Sequence, residues 1–174
     1  YAVDIGREHL ADAVDVLVDT IRRSEPGTLT LVTLGPLTNV AVAFTRDPSL
    51  ATHLREIVIM GGTADAVGNV SAVAEFNIWV DPEAAAIVYG SGARITQVGW
   101  DISRKYAAIT KADAADLRGL GPLGSFVIDI NGVVDTFATE KTGLDGFDLP
   151  DPIAMAVALD ADVAALQVRG QLAQ

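Results

Sequence analysis

The sequence contains no cysteine and only two histidines. Without thiols there are no disulfides, no thiolate metal centre and no cysteine nucleophile. His9 and His53 both fall on predicted helices, with His53 read as an exposed surface residue, so Ser/His/Asp catalysis has no placed base. Basic side chains are scarce: 12 Lys+Arg stand against 23 Asp+Glu, giving a net charge of −11 and an isoelectric point near 4.4. With no basic cluster to neutralise phosphates, nucleic acid is not an expected partner. No apolar run is long enough to span a bilayer, and no secretory signal is visible at the start. GxxxxGK[ST] does not occur, which leaves no P-loop for a nucleotide phosphate. These absences fit a cytoplasmic protein that engages neither nucleic acid nor membrane.

Half of the 174 residues are hydrophobic and the mean hydropathy is +0.35, enough for one globular domain with a real core. Residues 7–23 carry Leu10, Val14, Leu17, Val18 and Ile21 at helical spacing, and Pro26-Gly27 stops that helix. LTLVTL (29–34), residues 55–60 and residues 95–98 read as short buried strands. A Gly35-Pro36 turn leads from the first strand into a helix reaching about Arg46, and Asp47-Pro48 opens a short one. Gly61-Gly62 ends the second strand. Asp81-Pro82 and Asp151-Pro152 each read as an N-cap followed by proline at the first helical position. Thr110 caps a further helix, and residues 123–142 read as one long helix with Phe126, Ile130, Val133, Val134 and Phe137 on its apolar side. The nearly apolar helix ending at Leu159 should be buried. Strands alternating with helices predict a single α/β domain with a mainly parallel open sheet flanked by helices.

One stretch combines apolar and polar character in a way that suggests a ligand: GNVSAVAEFNIWVD (68–81), with Asn69, Glu75 and Asn77. A carboxylate accepts from two hydroxyls, and an amide both donates and accepts, which suits a polyhydroxylated substrate such as a sugar. The alternative is a loop that satisfies its own backbone with asparagine side chains before entering a helix.

Four ordered segments, LVTLGPLTNVA (31–41), EIVIMGG (56–62), GNVSAVAEFNIWVDPEAA (68–85) and DPIAMAVALD (151–160), resemble the inosine-uridine-type nucleoside hydrolases. The resemblance implies hydrolysis of the N-glycosidic bond of ribonucleosides to ribose and free base, on a mainly parallel α/β sheet. It implies a Ca²⁺ ion at the carboxyl edge of the strands that holds the ribose and the attacking water. It assigns Asn69, Glu75 and Asn77 to the ribose hydroxyls, with Met60 and Phe76 nearby. Asp151 and the main-chain carbonyl of Leu34 match metal ligands. The implied partner is a small ribonucleoside, and the implied assembly is a homo-oligomer, a dimer or tetramer.

Two features depart from the family pattern. The Asp-rich motif DxDPGxDD, which supplies most calcium ligands and the general base, does not occur in this chain. The chain opens at Tyr1 and closes inside an apolar stretch (166–172) that reads as a strand. The expectation is therefore an incomplete part of a longer domain, with its general base upstream of Tyr1 and no activity of its own. Pro150 stands where many members have a histidine that protonates the departing base, which leaves base preference open. A non-catalytic ribose-binding homologue is the alternative, and a structural protein in which the three polar residues merely hold a loop is a third reading.

Overall fold

The computed structural model describes residues 12–65 and 67–163. His9, the start of the first predicted helix and the strand predicted at 166–172 lie outside the described residues.

Three short strands, β1 (Thr30–Thr33), β2 (Glu56–Met60) and β3 (Ile95–Val98), form one parallel sheet in the order β1-β2-β3. Leu31 sits opposite Ile57, and Ile59 opposite Gln97. Period-two alternation sends Ile57 and Ile59 to one face and Val58 and Met60 to the other. Both faces are covered, which is why β2 reads as a continuous apolar run.

The first face is packed by α1 (Ala13–Arg23), α2 (Thr38–Arg46), α3 (Ser49–His53) and α5 (Pro82–Tyr89), whose Ile21, Phe44, Leu50 and Val88 join Ile57 and Ile59 in the larger core. Fully burying one such side chain is worth about 1.5–3 kcal/mol. Asp81 caps α5 by accepting the Ala84 N–H at 3.0 Å and ties it to α2 by accepting Thr38 Oγ1 at 2.5 Å. The second face is covered by α10 (Pro150–Leu159) and by Trp100 at the start of α6 (Trp100–Tyr106). Between β2 and α5 lies α4 (Phe76–Val80). Next to the main sheet, β4 (Ala108–Thr110) pairs antiparallel with β5 (Gly146–Asp148), supported by α7 (Lys111–Gly119), α8 (Pro122–Ile130) and α9 (Gly132–Phe137).

Several expectations need correction. The long helix predicted over 123–142 is broken. The Asn131 side chain donates to the Val127 carbonyl at 2.8 Å, Gly132 follows, and a π-helical turn (Ala138–Thr142) closes the segment at Gly143 in the left-handed region. Its predicted apolar side is not packed: Phe126, Ile130, Val133, Val134 and Phe137 are all exposed, while Ile128 and Ala138 are buried with Phe147. Asp151 is not an N-cap. Leu149 occupies that position and Pro150 takes the first helical place, so Asp151 falls in the first turn, where negative charge suits the helix dipole. Only Ala154 and Val157 of α10 are buried, and Leu159 is exposed. His53 is not free on the surface: it is half-buried, with Nε2 2.8 Å from the Ser24 carbonyl. Helix α6 and the β4–β5 pair were not anticipated.

Candidate active site

The carboxyl ends of the three strands converge on one edge of the sheet. There β1 runs out into Leu34, β2 into Gly61-Gly62 and β3 into Gly99. Gly61 N–H donates to the Val98 carbonyl at 3.2 Å, and Trp100 N–H donates to the Gly62 carbonyl at 2.9 Å, so β2 and β3 stay joined past their last paired residues.

Glu75 lies under this edge with 3% of its surface exposed. It is the N-cap of α4: its carboxylate accepts the Asn77 N–H at 3.0 Å and the Ile78 N–H at 3.3 Å. Its Oε2 also accepts the Gly62 N–H at 2.8 Å. Asn69, on the exposed loop before α4, accepts the Phe76 N–H at 2.9 Å. Asn69 and Glu75 therefore share the unpaired amides of the first turn of α4, as helix caps do.

Asn77 faces back toward β2. Its Nδ2 lies 3.2 Å from both the Met60 carbonyl and the Met60 sulfur, leaving Oδ1 without a hydrogen-bond partner among the described residues. Met60 and Asn77 are buried, whereas Phe76 is half exposed to solvent. The sequence thus brings Met60, Glu75 and Asn77 into direct contact and attaches Asn69 through the Phe76 amide.

Asp151 reaches the same end of the molecule through α10, which packs against β1 and β2. Its carboxyl is held above the ordinary carboxylate range, first by desolvation and then by the negative charge of Glu75. Tyr89 also feels Glu75: burial, and then that charge, push its phenol up to about 12. The Tyr89 hydroxyl is buried with no hydrogen-bond partner among the described residues.

For a calcium ion, the Asp151 carboxylate and the Leu34 carbonyl are donors of the right kind, hard oxygens, but calcium takes about six to eight of them. Among the described residues no group of three or more His, Cys, Asp or Glu gathers into a metal cage. The Glu75 oxygens already serve backbone amides. The described residues thus offer part of a ligand set.

Sequence reasoning gave no role to Asp101, which follows Trp100 in the first turn of α6. It is buried, and Oδ1 accepts the Ala64 N–H at 3.1 Å. The signal available in the sequence was an acid shortly past a strand end.

The sequence profile described as inosine-uridine preferring nucleoside hydrolase matches residues 5–173. The pyrimidine-specific ribonucleoside hydrolase RihA of Salmonella arizonae is 40% identical over 153 residues, covering 87% of this chain and 48% of the relative. Among solved structures, the purine-preferring ribonucleoside hydrolase from Gardnerella vaginalis superposes with a TM-score of 0.78 at 34% identity, covering 88% of this chain and 49% of that one. A plant nucleoside hydrolase superposes with a TM-score of 0.77, also at 34% identity, covering 91% of this chain and 52% of that one. The chain spans about half the length of the curated relatives it matches. A match over residues 5–173, nearly the whole chain, means that the chain belongs to the inosine-uridine preferring nucleoside hydrolase family.

Proposed function

We propose that the protein to which this chain belongs hydrolyses the N-glycosidic bond of ribonucleosides. Water adds to the anomeric carbon as the bond to the base breaks, and a proton passes to the base, giving ribose and free base. The observation that carries this reading is the contact of Met60, Glu75 and Asn77 at the carboxyl edge of a parallel sheet, with the Glu75 charge reaching Asp151. Ligands bind at that edge in open α/β sheets.

In this reading Asn77, pinned through Nδ2 to Met60, presents Oδ1 as a fixed acceptor for a ribose hydroxyl. Fixing the sugar in this way lowers the entropic cost of attack. Loss of the base makes the sugar oxocarbenium-like, and the nearby carboxylates of Glu75 and Asp151 favour positive charge there. Calcium held in part by Asp151 and the Leu34 carbonyl would supply Lewis acidity toward water and an anchor for the ribose diol.

A non-catalytic ribose-binding role is the second reading. What favours it is that Glu75, the carboxylate at this edge, is spent on the Gly62, Asn77 and Ile78 amides rather than free to take a proton from water, while Asn77 Oδ1 is left to a hydroxyl. Ribose release from a panel of purine and pyrimidine nucleosides, measured on the full-length protein with and without a chelator, separates the two. Chelator-sensitive release that is lost in Asp151→Ala supports hydrolysis. Nucleoside binding with no release supports the second reading.

A further inference from the structure

The loop between β2 and α4 carries Asn69, yet its own hydrogen bonds are local: Gly68, Asn69 and Val70 donate to Ala72 and Ala74 within the same loop. Apart from the Gly62–Glu75, Gly61–Val98, Gly61–Gln97 and Asn69–Phe76 hydrogen bonds at its two ends, the ties of its described residues to the rest of the molecule run to α6. There the Trp100 N–H holds the Gly62 carbonyl, Asp101 Oδ1 accepts the Ala64 N–H at 3.1 Å, and Lys105 Nζ lies 3.8 Å from Asp65. The Lys105–Asp65 pair is exposed and worth little. The Asp101 contact is different, because the acceptor is charged and 7% exposed, where an amide–carboxylate bond is strong. The backbone is shaped around it. A Cβ on Gly99 would collide with Asp101 Oδ1.

We infer that Asp101 is a positioning residue for substrate binding: through the Ala64 amide it sets the loop that presents Asn69 at the sheet edge. The inference rests on the ribose site proposed above. It assigns Asp101 no contact with substrate. Asp101 acts on how often the loop is in register with Glu75 and Asn77, which lowers substrate affinity when lost and leaves the chemical step largely intact.

Hydrogen exchange on the full-length protein, read at single amides, tests the anchor without any assay of activity. In the wild type the Ala64 amide should exchange at least about tenfold more slowly than an unbonded loop amide. Asp101→Ser, too short to reach Ala64, should speed Ala64 and the residues up to Ala74 about tenfold, with Ile57–Ile59 unchanged. Asp101→Asn keeps the acceptor and should restore slow exchange. With nucleoside, Asp101→Ser should raise KM about fivefold or more with kcat within about twofold, and Asp101→Asn should recover KM. An unprotected Ala64 amide in the wild type would overturn the anchor outright, even if no variant folds. Faster exchange shared equally by β2 and β3 would show Asp101 to be a core residue and overturn it too. If the wild-type protein releases no ribose, the proposed function fails, while the exchange comparison still decides the anchor.

Discussion

Glu75 Oε2 accepts the backbone N–H of Gly62, 13 residues earlier, at 2.8 Å, and so ties the end of β2 to the start of α4. The same carboxylate accepts the Asn77 and Ile78 amides. Truncating it leaves three amides beneath the sheet edge without their acceptor, and an unpaired buried donor costs about 1–3 kcal/mol. Glu75→Ala should therefore lower unfolding stability by about 3 kcal/mol in urea titration. Glu75→Gln keeps one carbonyl oxygen and should lose about 1 kcal/mol. Equal stability of Glu75→Ala and wild type would mean that the carboxylate serves only a ligand.

The family resemblance assigns Asn77 to a ribose hydroxyl, not to the fold. Its Nδ2 contact with the Met60 carbonyl, in a buried setting, alters that expectation. Asn77→Ala should cost about 1 kcal/mol of stability as well as ribose affinity or turnover. Asn77→Asp should be worse than Asn77→Ala, because it aims an anionic acceptor at a carbonyl and a sulfur. Thermal melts and ribose release on the two variants rank them, and the reverse order would mean that the Met60 contact is not maintained.

Asp81 joins α2 to α5, and its carboxyl is held below the usual range, first by the Thr38 hydroxyl and then by the Ala84 amide. A depressed folded-state pKa means that the unfolded chain takes up the proton first as pH falls. The stabilisation is complete above about 3.8, the ordinary value, and is lost as pH drops through the lower folded value. Thr38→Val removes the largest cause of the depression. Melting temperature plotted against pH should then fall less steeply below pH 4 in Thr38→Val than in the wild type. Parallel acid limbs would exclude this linkage.

The three strands could be read from the sequence because LTLVTL and EIVIM are short, β-branched and fenced by glycine and proline. Asp81-Pro82 and the Thr110 cap were readable for the same local reason. What could not be read depended on contacts distant in sequence. Both Glu75 and Asn69 are types that cap helices as well as types that bind hydroxyls, and only the position of Gly62 and of the α4 amides shows where their oxygens go. The pairing of β4 with β5 joins residues near 109 and 147, so no local pattern announces it. The apolar stripe from Phe126 to Phe137 misled in the opposite way: periodicity specifies a face, but not that anything within the described residues packs on it.

That stripe should make the isolated 174-residue chain associate. Leu120, Leu123, Phe126, Ile130 and Val133 all expose most of their surface on α8, α9 and the turns beside them. Exposed apolar side chains in this number favour self-association. Phe126→Glu combined with Val133→Lys should shift sedimentation of the chain toward the monomer without lowering its helix content. Unchanged sedimentation would place the association elsewhere.

Tyr89 offers a test of the charge at Glu75 that needs no substrate. Its hydroxyl is buried without a hydrogen-bond partner among the described residues, and its phenol is raised to about 12 by burial first and the Glu75 charge second. Because the unfolded chain ionises near 10, it releases this proton before the folded protein does. The contribution of Tyr89 to stability is therefore full below about pH 10 and is lost as pH rises toward about 12. Ultraviolet titration of phenolate absorbance in the folded protein should show a late-ionising component that Tyr89→Phe removes. Glu75→Gln should move that component to lower pH, since it deletes the second cause and leaves the first. At neutral pH, Tyr89→Phe discards an unsatisfied buried hydroxyl and should raise stability by about 1 kcal/mol. A loss of similar size instead would mean that the hydroxyl has a partner, such as a water shared with Glu75, and that the phenol belongs to the hydrogen-bond network beneath the site.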